Sequence, residues 1–443
     1  MGPSATEGRT PRIAFVTLGC AKNEVDTDAM ARRLAAAGYE VGAEPEGADA
    51  LVVNTCSFIQ AATEESLDAI FEAAELPRVA AGEAALIVAG CMPARYGDDL
   101  AKELEEATAF VPCSREDDIV AVVASCVGPA AAGAVGEQLS PPAPAAGEGA
   151  PFAYVKVSDG CDRFCSYCTI PLIRGRYRSF PYEDVRAEVA RAVADGAAEV
   201  VLIGQDTGRW GADLPEPTSL AALVGRLAEE FPSTWLRVMY VQPEGVTDEL
   251  LDAMAAHPNV CPYLDVPLQH VDARLLRAMN RTGSGEEFLA LAERILERLP
   301  GATLRTTLIA GFPGETEEQF EALCAFVEEA PFDYVGVFPY SREEGTRAAE
   351  LPGQLDEEEK AERARALREV ADAVGTARVS QRVGSRMDVL VEGVEEDGQV
   401  FGRAQCQAPE VDGATFLDRG VPGQVVAALI GDTLMYEMEG EVL

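Results

Sequence analysis

Between residues 151 and 375 the sequence alternates six times between a short apolar run and a stretch with helical spacing. The apolar runs lie near 152–157, 200–203, 236–241, 263–266, 304–309 and 334–338, and residues 356–375 read as a closing helix. Short apolar runs separated by helical patterns predict parallel strands with crossover helices. Eight such units close a full barrel, so six predict an incomplete, curved one. A fold of this kind builds its active site at the C-terminal ends of the strands.

The flanking segments have a different texture. Residues 11–127 carry the same alternation on a smaller scale, with apolar runs at 12–18, 50–53 and 85–89 and helical patterns at 23–38, 64–75 and 98–106. That predicts a small parallel-sheet α/β domain. Residues 128–150 are dominated by Ala, Gly and Pro and read as a linker. Residues 376–443 are rich in Val, Gly and turn residues, notably at 387–392, 399–404 and 424–429, and predict an OB-like β-barrel. The expected class is therefore α/β, with a partial (β/α)6 barrel between a small α/β domain and a β-barrel.

Composition narrows the chemistry. The formal charge is −39, from 75 acidic and 36 basic residues, which suits basic partners and opposes nucleic-acid backbones on average. A solvated, highly soluble surface accounts for such a balance equally well. There are 11 cysteines and 2 histidines. An odd number of cysteines in a cytoplasmic chain argues for reduced thiols or metal ligands, and with so few histidines a metal would be held by thiolates, as in zinc or iron–sulfur sites. No apolar run approaches the roughly 20 residues needed to span a bilayer. The first residues have no signal-peptide stretch; Gly2 and Thr6 fit the loose myristoylation pattern, but Pro3 opposes it. The expectation is a cytoplasmic protein without a membrane partner.

Cys161, Cys165 and Cys168 form a C-x3-C-x2-C triplet just beyond the first barrel strand. Four thiolates saturate a cluster or a zinc ion, whereas three leave one iron of a 4Fe–4S cluster open to a substrate. A zinc knuckle with a distant fourth ligand and a plain electron-transfer cluster compete with that reading, although the spacing is not the paired C-x2-C of zinc sites. Cys20, Cys56 and Cys91 each follow one apolar run of the first block. In a parallel sheet all three lie at the C-terminal edge, where open α/β folds bind ligands. Three converging thiolates there would suit a second cluster. Cys113, Cys126, Cys261, Cys324 and Cys406 share no such pattern and read as packing residues.

With Gly160 before the triplet and Tyr167 inside it, the central block resembles the radical S-adenosylmethionine superfamily. Gln205 and Asp206 end the second strand, and Gly311 and Gly314 end the fifth; the resemblance implies that these loops meet the S-adenosylmethionine. The whole chain from about Arg12 resembles the methylthiotransferases, which join a three-cysteine domain, a radical core and a C-terminal TRAM domain. Leu18-Gly19-Cys20-Ala21-Lys22-Asn23-Glu24-Val25-Asp26, Asn54-Thr55-Cys56-Ser57-Phe58-Ile59, Gln205-Asp206-Thr207 and Pro267-Leu268-Gln269-His270 are similar to the branch that modifies a ribosomal protein, not the branch that modifies tRNA. The acidic last domain agrees, with 12 acidic against 5 basic side chains in residues 376–443. The resemblance implies two 4Fe–4S clusters, S-adenosylmethionine, and methylthiolation of the β-carbon of an aspartate in the basic ribosomal protein S-twelve. An electron donor and a sulfur donor are needed as well. Arg174, Arg176 and Arg178 form the basic run expected to clamp the substrate carboxylate, with pairing to this chain's many acids as the competing reading. His270 reads as a structural hydrogen-bonding residue.

Overall fold

Ala50–Thr55 and Ala85–Gly90 are buried along their whole length, as strands covered on both faces must be. They are the third and fourth strands of a five-stranded parallel sheet of order β2-β1-β3-β4-β5. Its members are β1 (Arg12–Thr17), β2 (Glu40–Val41), β3 (Ala50–Thr55), β4 (Ala85–Gly90) and β5 (Ala109–Pro112). The computed structural model describes residues 9–130 and 151–443; Gly2 and Thr6 and most of the expected linker at 128–150 lie outside the described residues.

Side chains alternate across the pleat. Val52 and Ile87 pack on one face with Met30, Leu34, Ile119 and Val123. Leu51, Val53, Leu86 and Val88 pack on the other with Ile70 and Met92. The covering helices are Ala21–Ala36, Gln60–Glu75, Cys91–Glu103 and Ile119–Val127. One expectation needs correction. The helix read at 98–106 begins at Cys91 and is interrupted at Gly97, whose φ of 54° is non-helical. β5 and Ile119–Val127 gave no clear sequence signal. Contacts divide the chain into two units, and the unit holding this sheet also contains Gly160–Asp162 and Cys168–Arg176.

The second unit holds the remaining strands. β6 (Phe152–Lys156), β9 (Glu199–Ile203) and β10 (Trp235–Val238) form one parallel sheet; β11 (Tyr263–Asp265), β12 (Thr303–Ala310) and β13 (Tyr334–Pro339) form another. A parallel bridge pairs Leu236 of β10 with Val260, just before β11. Two short strands, β7 (Ser158–Asp159) and β8 (Arg178–Ser179), pair antiparallel. Six strands with crossover helices make the expected partial barrel, and one apolar core runs through it from Val155 and Leu202 to Leu308 and Leu323.

After the long helix Glu357–Ser380, β14 (Arg386–Val394), β15 (Val400–Ala404), β16 (Thr415–Leu417), β17 (Val425–Leu434) and β18 (Glu437–Val442) close into a separate barrel of order β14-β15-β16-β18-β17. Residues of this barrel and its entry meet the N-terminal ends of the larger barrel's strands. Arg403 pairs with Glu199 at 2.7 Å and lies over the Phe152 ring, Arg237 donates to the Gln405 carbonyl, and Asp412 meets Tyr263 and Arg305. Arg382 bonds Tyr334 and Asp333. The opposite, C-terminal strand ends carry Gln205, Asp206, His270 and Gly311. Among the described residues no helix is long and apolar enough to cross a membrane.

Candidate functional site

In the first unit, three neighbouring strands each deliver one cysteine. Cys20 follows β1 and directly precedes the helix Ala21–Ala36; Cys56 follows β3 at once; Cys91 opens the helix after β4. Helix N-termini favour thiolates, and two of the three cysteines sit at one. Gly19 passes so close to Cys56 that a Cβ there would lie 2.5 Å from the Cys56 Cβ. Burial pushes the Cys56 thiol up to about 11, and the charges of Cys91 and Cys20 act in the same direction. The Cys91 thiol is held below its ordinary value, first by a hydrogen bond from Cys113 and then, against burial, by Arg174.

Asn23 is the hub of this set. Its Nδ2 donates to the Leu18 and Thr55 carbonyls, each at 2.9 Å, which lie just before Cys20 and Cys56. Its Oδ1 accepts from the Cys91 thiol at 3.6 Å and from Arg174 at 2.9 Å. Arg174 also pairs with Asp26 at 2.7 Å and reaches the Cys91 Sγ at 3.7 Å. The side chains of Arg174 and Asp26 are 2% and 1% exposed. The expected role of Arg174 as a substrate clamp is therefore revised: a buried guanidinium already answered by a carboxylate is not available to a second one.

The triplet loop is shaped by its glycine. Gly160 has φ +72°, and a Cβ there would lie 2.2 Å from the Arg176 carbonyl oxygen, so no larger residue fits without displacing the turn. The next residue, Cys161, donates its backbone N–H to the Gly175 carbonyl. Cys161 and Cys168 belong to the first unit, and Cys165 to the second. Within the second unit, Arg163 donates to Asp206 at 2.7 Å and to Glu244 at 2.8 Å. Asp206 is fully buried; burial pushes its carboxyl up, and Arg163 only partly opposes this. Asn280 Nδ2 donates to the carbonyls of Arg163 and Phe164, and both Asn280 and Phe164 hold positive φ. Arg281 is buried and donates to the Pro267 carbonyl.

The other expected residues take varied positions. Gln205 donates to Asp159 at 3.1 Å. Gly311 makes its close approach to protein: a Cβ there would lie 2.7 Å from the Lys360 Cγ, and its N–H donates to Glu315. Packing against Lys360 is thus one reason for a glycine here. Around Gly314 the space is open, while its N–H donates to the Gly353 carbonyl. Arg176 is an exposed side chain paired with Asp162, and Arg178 stacks over Phe180. His270 is fully buried; its Nδ1 accepts the N–H groups of Val271 and Asp272, and its Nε2 faces Glu315 at 3.4 Å.

Among the described residues no three His, Cys, Asp or Glu side chains converge tightly enough for a single metal ion. A cubane asks for a different arrangement, because its thiolates bind separate irons. The first set fits such a group by its donors: three thiols at one sheet edge, with a buried guanidinium facing one of them. Sequence reasoning missed Asn23, Asp26, Cys113, Asn280 and Arg281. Polar residues inside helical patterns, as Asn23 and Asp26 are, carry a weak signal when the face they occupy is buried.

Three family models match the chain: Uncharacterized protein family UPF0004 over residues 12–112, the Radical SAM superfamily over 155–327, and the TRAM domain over 383–443. Among curated relatives, the ribosomal protein uS12 methylthiotransferase RimO of Trichlorobacter lovleyi is 41% identical, covering 98% of each chain. The RimO proteins of Geobacter sulfurreducens (40% identical, 98% of each chain) and Desulforudis audaxviator (41%, 99% of each) are similar throughout. Among solved structures, the radical S-adenosylmethionine methyltransferase TsrM of Kitasatospora setae shares the fold, with a TM-score of 0.55 at 15% identity, over 87% of this chain and 79% of that one.

Proposed function

The chain belongs to the RimO family of radical S-adenosylmethionine methylthiotransferases, and we propose that it places a methylthio group on the β-carbon of one aspartate of ribosomal protein uS12. The observation that carries this reading is full-length similarity to proteins of that name together with three cysteines at one sheet edge. The proposed domains are 11–127, a linker at 128–150, the radical core at 151–375, and the TRAM domain at 376–443. An iron–sulfur cluster and S-adenosylmethionine belong to the superfamily; we assign two clusters, one to Cys161, Cys165 and Cys168 and one to Cys20, Cys56 and Cys91. Together they supply one-electron cleavage of S-adenosylmethionine to a carbon radical and a place to hold sulfur.

The target demands that chemistry. The β C–H of an aspartate is not acidic enough for a side-chain base, so hydrogen abstraction is the available route. Asp206, oriented by Arg163, and Gln205 lie at the C-terminal strand ends as candidate S-adenosylmethionine contacts, with Gly314 beside open space. Arg176 and Arg178 remain candidates for the substrate carboxylate. A basic ribosomal protein suits the acidic last barrel, where a concavity of 520 Å³ is lined by Phe416, Asp418, Asp432, Glu439 and Glu441. The reading implies a cytoplasmic enzyme served by an external electron donor and a sulfur donor.

Reduced, anaerobically prepared enzyme should add one methylthio mass to uS12 and none to tRNA. Modification of tRNA adenosine instead would assign the chain to the sister activity, and an absence of 5′-deoxyadenosine would reduce it to an electron carrier. Replacing Cys20, Cys56 and Cys91 by Ala should remove about half of the iron if the two clusters are of one size.

A further inference from the structure

Arg174 stands in a place that neither a surface ion pair nor a substrate clamp explains. It follows Cys168 by six residues in sequence, yet its guanidinium lies among the residues that organise the other cysteine set. One nitrogen, Nη2, is within reach of the Asp26 carboxylate, the Asn23 carbonyl oxygen and the Cys91 sulfur. Asn23 in turn fixes the carbonyls preceding Cys20 and Cys56. All three cysteine positions are thus tied to one network, and Arg174 is its cation. Burying such a pair is costly, and a well-packed apolar pair would serve stability as well or better.

Hydrogen bonds and positive charge at ligating sulfurs favour the more negative, reduced state of an iron–sulfur cluster and so raise its potential. Arginine suits the task because it stays charged when buried and offers several donors in a rigid plane.

We propose that Arg174 is a positioning residue, dedicated to the sulfur of Cys91, that holds this ligand and raises the reduction potential of the cluster bound by Cys20, Cys56 and Cys91. This rests on the two-cluster reading above, and the experiment separates the two. In a chain with Cys161, Cys165 and Cys168 replaced by Ala, only the first set can hold iron. Iron and sulfide content test that reading by themselves: a chain without iron overturns it, and the inference with it.

Where iron is bound, a redox titration followed by electron paramagnetic resonance tests Arg174. Arg174→Gln should lower the reduced-to-oxidised ratio at fixed potential about tenfold, the scale of one charge-assisted hydrogen bond. For a one-electron couple that is a midpoint shift of about 59 mV to more negative potential. Part of the shift comes from the stranded Asp26 carboxylate, so the Asp26→Asn, Arg174→Gln pair should move the midpoint in the same direction by less. Arg174→Lys should lie nearer the parent. Arg281→Gln, a buried arginine outside this network, should leave this cluster unmoved. An unmoved midpoint in Arg174→Gln overturns the inference, as does a shift that vanishes in the Asp26→Asn pair. If Arg174→Gln loses its iron, Arg174→Lys decides: retained iron near the parent midpoint supports the proposal, and lost iron overturns it in favour of packing alone.

Discussion

Arg403→Met tests how the small C-terminal barrel is fastened to the larger one. Glu199 and Arg237 are fully buried, and Glu199 is answered by two guanidiniums, Arg237 at 2.6 Å and Arg403 at 2.7 Å. Arg403 also holds Glu392 and the Gln407 carbonyl. Methionine keeps much of the volume over the Phe152 ring but strands the acceptors. Removing one partner of a buried pair costs about 3–5 kcal/mol, because the remaining charge stays desolvated. At about 1.4 kcal/mol per factor of ten, opening of the small barrel should become some hundred- to several-thousand-fold more frequent. Native-state hydrogen exchange reads this directly, since amides of β14 to β18 that exchange by detachment should accelerate together while those of β1 to β5 keep their rates. The Glu199→Gln, Arg403→Met pair should cost less than the two single changes added, because the single changes act on one interaction. A loss below about 1 kcal/mol, the size of an exposed pair, would refute the argument. Strict additivity in the pair would refute it equally.

Three further outcomes follow from the geometry. Gly160→Ala should cost the triplet loop its turn and lower iron retained per chain, measured by iron content after anaerobic gel filtration, while the fold of β14 to β18 is unaffected. Asn280→Ala removes the two side-chain bonds to the Arg163 and Phe164 carbonyls, and should shorten the lifetime of the bound cluster in air several-fold, followed by loss of visible absorption. Burial pushes the Glu199 carboxyl up, but Arg237 and Arg403 outweigh it and hold it below the usual range. A depressed carboxyl contributes its stability above the unfolded value, about 4.3, and loses it as pH falls through the folded one. The Glu199 contribution to the opening free energy of β14 to β18, taken from exchange rates corrected for the intrinsic pH dependence of amide exchange, should therefore be flat above about pH 5 and fall only below about pH 4.

The elements that were legible are those with one dominant physical cause. The buried runs at 50–53, 85–89 and 200–203 have no polar face, so they read as covered parallel strands, and the structure has them as β3, β4 and β9. The shared position of Cys20, Cys56 and Cys91 was legible for the same reason, since a parallel sheet puts every strand's end on one edge. The start of the helix at Cys91 was not. The sequence Cys91-Met92-Pro93 offers a proline near the first turn, which a helix tolerates there, but Gly97 breaks the pattern and hides the first turns.

What stayed hidden were polar contacts made over long sequence distances. Arg174 meets Asp26 across 148 positions, and Arg403 meets Glu199 across 204. A sequence pattern reports which face of an element is apolar; it does not report which buried cation meets which buried anion, because both break the apolar pattern in the same way. A basic run next to the triplet therefore invites a substrate role for all three of its arginines, yet burial divides them. Arg176 and Arg178 remain exposed, while Arg174 is drawn inward by Asp26. An apolar pair could replace Arg174 and Asp26 for stability alone, but it could not set a fixed positive charge 3.7 Å from the sulfur of Cys91.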